Sequence, residues 1–117
     1  MRKEIDLVRE FHEKFQIPLL LKPSLITKDR SDLRFRLMKE EVEEYLEGVE
    51  NKDLPNIAKE LADILYATYG TIIEHGLQDQ MEEIFEEVHK SNMTKKFHLY
   101  KMIKDKDFKK ADIKRIL

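Results

Sequence analysis

Five carboxylates fall into two short patterns, Glu40-Glu41-x-x-Glu44 and Glu60-x-x-Asp63. On a helix, offsets of one, three and four residues keep side chains on neighbouring turns. Two such helices folded back on each other would gather the acids in one place. Crowded carboxylates repel unless something positive sits among them, and a hard divalent cation is the usual partner. The donors are all oxygen, in a chain with no cysteine and no histidines paired at ligand spacing. That set suits Mg2+ or Mn2+ and argues against zinc. Mg2+ held by carboxylates keeps positions for water and phosphate oxygens. The chemistry on offer is polarisation of a phosphoryl group, with a further carboxylate to activate water for in-line attack. Phosphates would also need cations, for which Lys95 and the group Arg30, Arg34 and Arg36 are candidates. The same spacing equally suits a solvated face laced with i,i+4 ion pairs, which a chain that is 39% charged forms by composition alone.

The elements that would carry these residues are helical. Ile5, Val8, Phe11 and Phe15 recur at helical spacing and predict a first helix over 3–15, with His12 at the edge of its apolar stripe. Pro18 and Pro23 then break the pattern, and residues 16–27 read as an ordered loop packed across the bundle. A second helix runs from Asp29 or Ser31, either able to cap it, to Glu50. Phe35, Met38, Val42, Tyr45, Leu46 and Val49 form its apolar stripe. At about 100° per residue, Glu41 lies about 80° from the stripe's centre and Glu44 further round. Leu37 and Gly48 share that flank, which predicts the approach of another helix there; Glu40 falls nearer the outer edge.

Asp53 and Pro55 open a third helix that Gly76 closes. Its apolar face is Leu54, Ile57, Ala58, Leu61, Leu65, Tyr69 and Ile72, and Glu60, Asp63, Ala67, Gly70 and Glu74 share another flank. Between Leu61 and Ile73 the one charged residue is Asp63, which must be exposed, paired or metal-bound, because burying it alone costs several kcal/mol. A fourth helix over 79–90 carries Met81, Ile84, Phe85 and Val88, with Glu82, Glu83, Glu86 and Glu87 as its solvated face. The lysine-rich segment 97–117, with Phe97, Tyr100, Ile103, Phe108 and Ile113 scattered through it, is expected as a short helix packed on a neighbour or as a partly disordered tail.

At 117 residues the chain is long enough for one domain. It has no apolar run of membrane-spanning length and no signal-peptide pattern at its charged start, so it is expected to be cytoplasmic. A net charge of −2 makes no case for nucleic acid.

The acidic patterns, together with Val8-Arg9-Glu10-Phe11-His12, Arg34-Phe35-Arg36-Leu37, the run from Ala62 to Gly70 and the run from Glu87 to Lys95, resemble the all-α NTP pyrophosphohydrolase superfamily. That group includes MazG, the dimeric dUTPases and phosphoribosyl-ATP pyrophosphohydrolase, and the likeness is nearest to the MazG-like branch. The resemblance implies an all-α, four-to-five-helix MazG-like bundle assembled as a homodimer or homotetramer. Residues 1–96 would form the pyrophosphohydrolase domain, and 97–117 a basic tail packing on it or on a neighbouring subunit. Glu41, Glu44, Glu60 and Asp63 would hold Mg2+, with Mn2+ as a substitute. Glu40 and Glu41 would serve catalysis, Glu40 by orienting the attacking water or holding a second ion. Asn92 and Lys95 would contact the nucleotide, as would Arg34. The implied reaction is hydrolysis of a nucleoside triphosphate between its α- and β-phosphates. Phosphoribosyl-ATP or a nucleoside diphosphate is the alternative substrate, and a non-enzymatic helical interaction module is the alternative role. The tail departs from relatives of this branch, which often end in a Gly/Pro-rich segment.

Overall fold

The computed structural model describes residues 1–98 and 101–117, His98 by its backbone alone. Tyr100 lies outside the described residues. Among these the chain forms α1 (Arg2–Phe15), α2 (Lys28–Glu50), α3 (Leu54–Glu74) and α4 (Met81–Asn92), then two short strands, β1 (Lys96–His98) and β2 (Lys101–Ile103). The fold is all-α. It divides into two compact units, Met1–Gln78 and Asp79–Leu117.

In the first unit α3 packs against both α1 and α2. The α2–α3 turn follows from the sequence. Asp53 accepts a hydrogen bond from the Asn56 amide at 3.2 Å, capping α3, and Pro55 sits in the first turn where its missing N–H is no loss. At the far end Gly76 adopts φ 69°, and the Gly76 and Leu77 amides reach the Ile73 and Ile72 carbonyls, closing α3 in a Schellman turn. A Cβ at 76 would also stand 2.1 Å from the Lys22 carbonyl oxygen, so the loop after α1 can lie directly on this turn. That loop is pinned there. The Leu20 and Ser24 amides donate to the Ile73 and His75 carbonyls, and Gln78 Nε2 donates to the Leu20 carbonyl at 2.7 Å. α2 starts earlier than the sequence predicts: Thr27, not Asp29 or Ser31, is the cap, its hydroxyl accepting from the Arg30 amide. Asp29 falls in the first turn, where its charge suits the helix dipole, and the Ser31 hydroxyl donates to the Lys28 carbonyl.

The apolar stripes are where the structure departs most from the sequence pattern. Phe35, Val42, Leu46 and Val49 of α2 and Leu54, Leu61 and Leu65 of α3 are all exposed. The residues that α2 and α3 turn inward are Arg34 and Gly48 from one, and Glu60, Gly70, Ile73 and Glu74 from the other. The helix approach predicted on the Glu41 flank does occur: a Cβ at Gly48 would lie 3.2 Å from Asn56 and Ile57 side-chain atoms of α3. Packing on the polar flanks leaves both stripes without cover, because one helix cannot present two opposite faces to the same neighbour. The fully buried apolar core is correspondingly small, comprising Ile5, Val8 and Ile73 among the described residues. His12, predicted at the core's edge, is instead 2% exposed, and Phe11 and Phe15 are the exposed members of the α1 pattern.

Among the described residues of the second unit, the tail forms two short strands and no helix. β1 and β2 pair antiparallel, with Phe97 opposite Met102. The chain then runs back along α4: the Lys109 amide donates to Thr94 Oγ1 at 2.7 Å, and the Asp112 amide to Glu87 Oε1 at 3.0 Å. Arg115 pairs with Glu87 at 2.9 Å. Glu87 is therefore an anchor for the tail rather than a solvated residue, and the Asp112 amide beside it holds its carboxyl below the usual range. After β2 the chain turns at 106–107, where the Phe108 amide donates to the Asp105 carbonyl, and two later amides, those of Lys109 and Asp112, find side-chain acceptors on Thr94 and Glu87 in place of helical carbonyls.

Candidate active site

The inward flanks of α2 and α3 bring the acids together. One carboxylate oxygen each from Glu41, Glu60 and Asp63 lies within 4.8 Å of the other two. The helical register explains the set: Glu60 and Asp63 are one turn apart on α3, and Glu41 meets them across the interface. Glu60 is 5% exposed, Glu41 and Asp63 half-buried. Among the described residues, Oε2 of Glu41 and Oε2 of Glu60 are buried without a hydrogen-bond partner. An orphaned buried carboxylate oxygen is costly, and two side by side are more so. Burial first, then the neighbouring charge of Glu44, push the Glu41 carboxyl up to about 7. Glu44 is exposed and lies against Glu60 and Glu41; its hydrogen-bonding contact with Glu60 is the chief cause raising its own carboxyl.

The residues fit a hard divalent ion. Ligand oxygens of an octahedral Mg2+ stand about 2.1 Å from the ion, and so roughly 3–4 Å from one another. The three oxygens, all within 4.8 Å of one another, stand near that spacing. The two orphaned oxygens point to what the cluster lacks, which is positive charge.

Part of that charge comes from a residue the sequence patterns did not single out. Lys59 Nζ is 2.7 Å from Asp63 Oδ2 and 3.5 Å from Glu60 Oε1. Asp63 is thus paired, and the buried Glu60 becomes the acid whose placement is hardest to explain without a cation. The signal was legible: Lys59 precedes Asp63 by four residues.

The other predicted site residues are more dispersed. Glu40 is exposed, one residue before Glu41 on α2. Arg34 is buried: it pairs with Glu74 at 3.1 Å, and its Nε and Nη2 donate to Thr71 Oγ1 at 3.1 Å and to the Ala67 carbonyl at 2.8 Å. Arg30 grips the same Glu74, with two hydrogen bonds of 2.9 Å. Most of the Arg34 guanidinium therefore serves the α2–α3 contact. Asn92 and Lys95 belong to the second unit, Asn92 exposed at the end of α4 and Lys95 half-buried just before β1.

A cavity of about 290 Å3 adjoins the acid cluster, with Glu41 and Asp63 in its wall. Phe11, Ile17, Leu37 and Tyr66 supply its apolar surface, and His12 and Arg34 its polar one. Phe11 and Tyr66 meet edge to face at 5.5 Å between ring centres. Tyr69 lines a different, apolar groove with Leu7 and Leu65. Carboxylates at the mouth and an aromatic-walled hollow beside them suit a ligand with an anionic, cation-bridged end and a flat apolar end.

The profile of the phosphoribosyl-ATP pyrophosphohydrolase family matches residues 8–92. No curated protein matches the chain. Among the described residues no helix is long and apolar enough to cross a membrane.

Proposed function

Because the chain belongs to the phosphoribosyl-ATP pyrophosphohydrolase family, a group of nucleotide pyrophosphohydrolases acting on phosphoanhydrides, we propose that it is a Mg2+-dependent nucleoside triphosphate pyrophosphohydrolase. It releases a nucleoside monophosphate and pyrophosphate, in the manner of an enzyme that clears unwanted (d)NTPs. The observation that carries this reading is the trio Glu41, Glu60 and Asp63, with two buried oxygens lacking partners. Glu44 completes the ligand set from the exposed side. Bound among these acids, Mg2+ would polarise the α–β anhydride and offset its charge. Glu41 and Glu60 anchor the site from facing helices, so that the rigid α2–α3 pair fixes their separation. Glu40 orients the attacking water, and a carboxylate takes its proton. Lys59 pairs with Asp63 and shields the cluster until the substrate's phosphates arrive. Arg34, which lines the cavity, is assigned to the nucleotide, as are Asn92 and Lys95. Residues 1–96 are taken as the domain that performs the reaction.

We also propose a homo-oligomer. Exposed Phe35, Val42, Leu46 and Val49 on one helix and Leu61 and Leu65 on the next make apolar stripes that a second copy would cover. A small internal core leaves these stripes as the main source of further apolar burial.

The test is pyrophosphate release from a panel of NTPs, dNTPs and phosphoribosyl-ATP with Mg2+, beside Glu60→Gln and Asp63→Asn. Release that falls at least ~100-fold in both variants is expected for metal ligands. Release from phosphoribosyl-ATP alone would move the substrate to the second reading on the same site. No release from any substrate, with both variants folded and equally silent, would sink the proposal.

A further inference from the structure

The cavity beside the acid cluster has a polar floor whose hydrogen-bonding sense is fixed by its surroundings. His12 Nδ1 lies 3.1 Å from the Pro18 carbonyl oxygen. A carbonyl only accepts, so Nδ1 must carry the proton. Burial lowers the ring's affinity for a second proton, aided by the charges of Arg34 and Arg30 and opposed by the Pro18 bond and Glu74. The ring is then neutral at pH 7 and Nε2 holds a lone pair. Among the described residues Nε2 receives no hydrogen bond. It faces α3 at Gly70, where a Cβ would stand 3.0 Å from it and 2.4 Å from Arg34 Nη2. Glycine at 70 keeps that approach open.

With a nucleotide's phosphates at the acid cluster, the next part of the molecule to enter the hollow is its nucleoside. A volume of about 290 Å3 is at the small end for ligand pockets, roughly 300–1,000 Å3, and suits a base better than a larger group. Phe11 and Tyr66 give it an aromatic wall. We infer that His12 is a specificity-determining residue: Nε2 accepts a hydrogen bond from an amino group on the base, so the cavity prefers aminopurine and aminopyrimidine nucleotides to their oxo counterparts. This rests on the nucleotide pyrophosphohydrolase reading above. An oxo group would set its own lone pairs against Nε2, leaving both acceptors unpaired in a buried place.

Two paired substrates test it, ATP against ITP and CTP against UTP, since each pair exchanges amino for oxo at one ring position. The parent is expected to favour the amino member about tenfold or more in kcat/KM, mainly through KM. In His12→Phe the ratio should fall to about one. Equal use of both members by the parent, or an unchanged ratio in the variant, overturns the inference and leaves the pyrophosphohydrolase reading standing. Imidazole nitrogen NMR of the parent supplies an arm that needs neither turnover nor a folded variant. It should show the Nδ1–H tautomer, with the Nε2 resonance moved by AMP and CMP and not by IMP or UMP. The opposite tautomer, or the same response or none to all four, also overturns it. Absence of turnover with every nucleotide would defeat the functional reading instead, and the NMR outcome would still decide the role of His12.

Discussion

Glu41→Gln isolates the electrostatic logic of the site. In the parent without metal, the Glu41 carboxyl is raised from 4.5 to about 7 by burial and by its acidic neighbours. Between those two values the folded protein holds a proton that the unfolded chain has released, so stability falls as pH rises through that window. At 1.36 kcal/mol per tenfold change in proton affinity, the full effect above pH 7 is at most about 3 kcal/mol. The acids titrate together, so about 2 kcal/mol is the more realistic share for one residue. Glutamine keeps the shape and removes the charge. In EDTA at pH 8 the variant should melt roughly 6–12 °C above the parent, at ~3–6 °C per kcal/mol for a chain of this size. At pH 5, where the parent carboxyl is already protonated, the two should nearly coincide. Mg2+ should reverse the order. Binding to the parent adds about 2.7 kcal/mol once its concentration is 100 times the dissociation constant, while the variant, short of one ligand, gains little. The assay is a set of melts of both proteins, with EDTA or Mg2+, at pH 5 and pH 8. A variant less stable than the parent in EDTA at pH 8, or equally raised by Mg2+, would refute the crowded-carboxylate account.

Three further outcomes follow from the packing. Gly70→Ala should cost about 1–3 kcal/mol in urea unfolding, because its Cβ would stand 2.4 Å from Arg34 Nη2 and force the guanidinium away from Glu74 and Ala67. Glu74→Ala leaves Arg34 buried and Arg30 half-buried without their shared acid, and should cost about 3–5 kcal/mol by the same measurement; a loss below ~1 kcal/mol would mean that the clamp is dispensable. Leu46→Glu places a charge in the exposed α2 stripe, and light scattering should show a smaller species than the parent if that stripe is a subunit interface. An unchanged mass would place the interface elsewhere.

Local rules carried much of the structure. The helices, the Asp53 cap, the Gly76 stop and the loop broken by two prolines depend on neighbours within a few residues, and a sequence records these directly. The acid patterns were also legible, because helical spacing fixes which carboxylates share a flank. Which flank faces inward is another matter. A helical wheel gives two faces and no preference beyond hydrophobicity, and here hydrophobicity pointed the wrong way: the stripes of Phe35, Val42 and Leu46, and of Leu61 and Leu65, face solvent in the single chain. Arg34, Glu60, Gly70 and Glu74 fill the interior because paired charges and glycines let α2 and α3 approach closely. The path of the tail was not legible for a related reason, since hydrogen bonds that hold it come from Thr94 and Glu87, 15 and 25 residues away.

The sequence by itself determined the family, the helical order and the set of acids that could hold a cation, since each is written in residue type and short-range spacing. Only the tertiary structure decided that Glu60 is the buried member, that Lys59 partners Asp63, and that His12 is buried with Nδ1 against the Pro18 carbonyl. Those outcomes depend on which helix lies against which, a choice made by contacts between residues far apart in the chain.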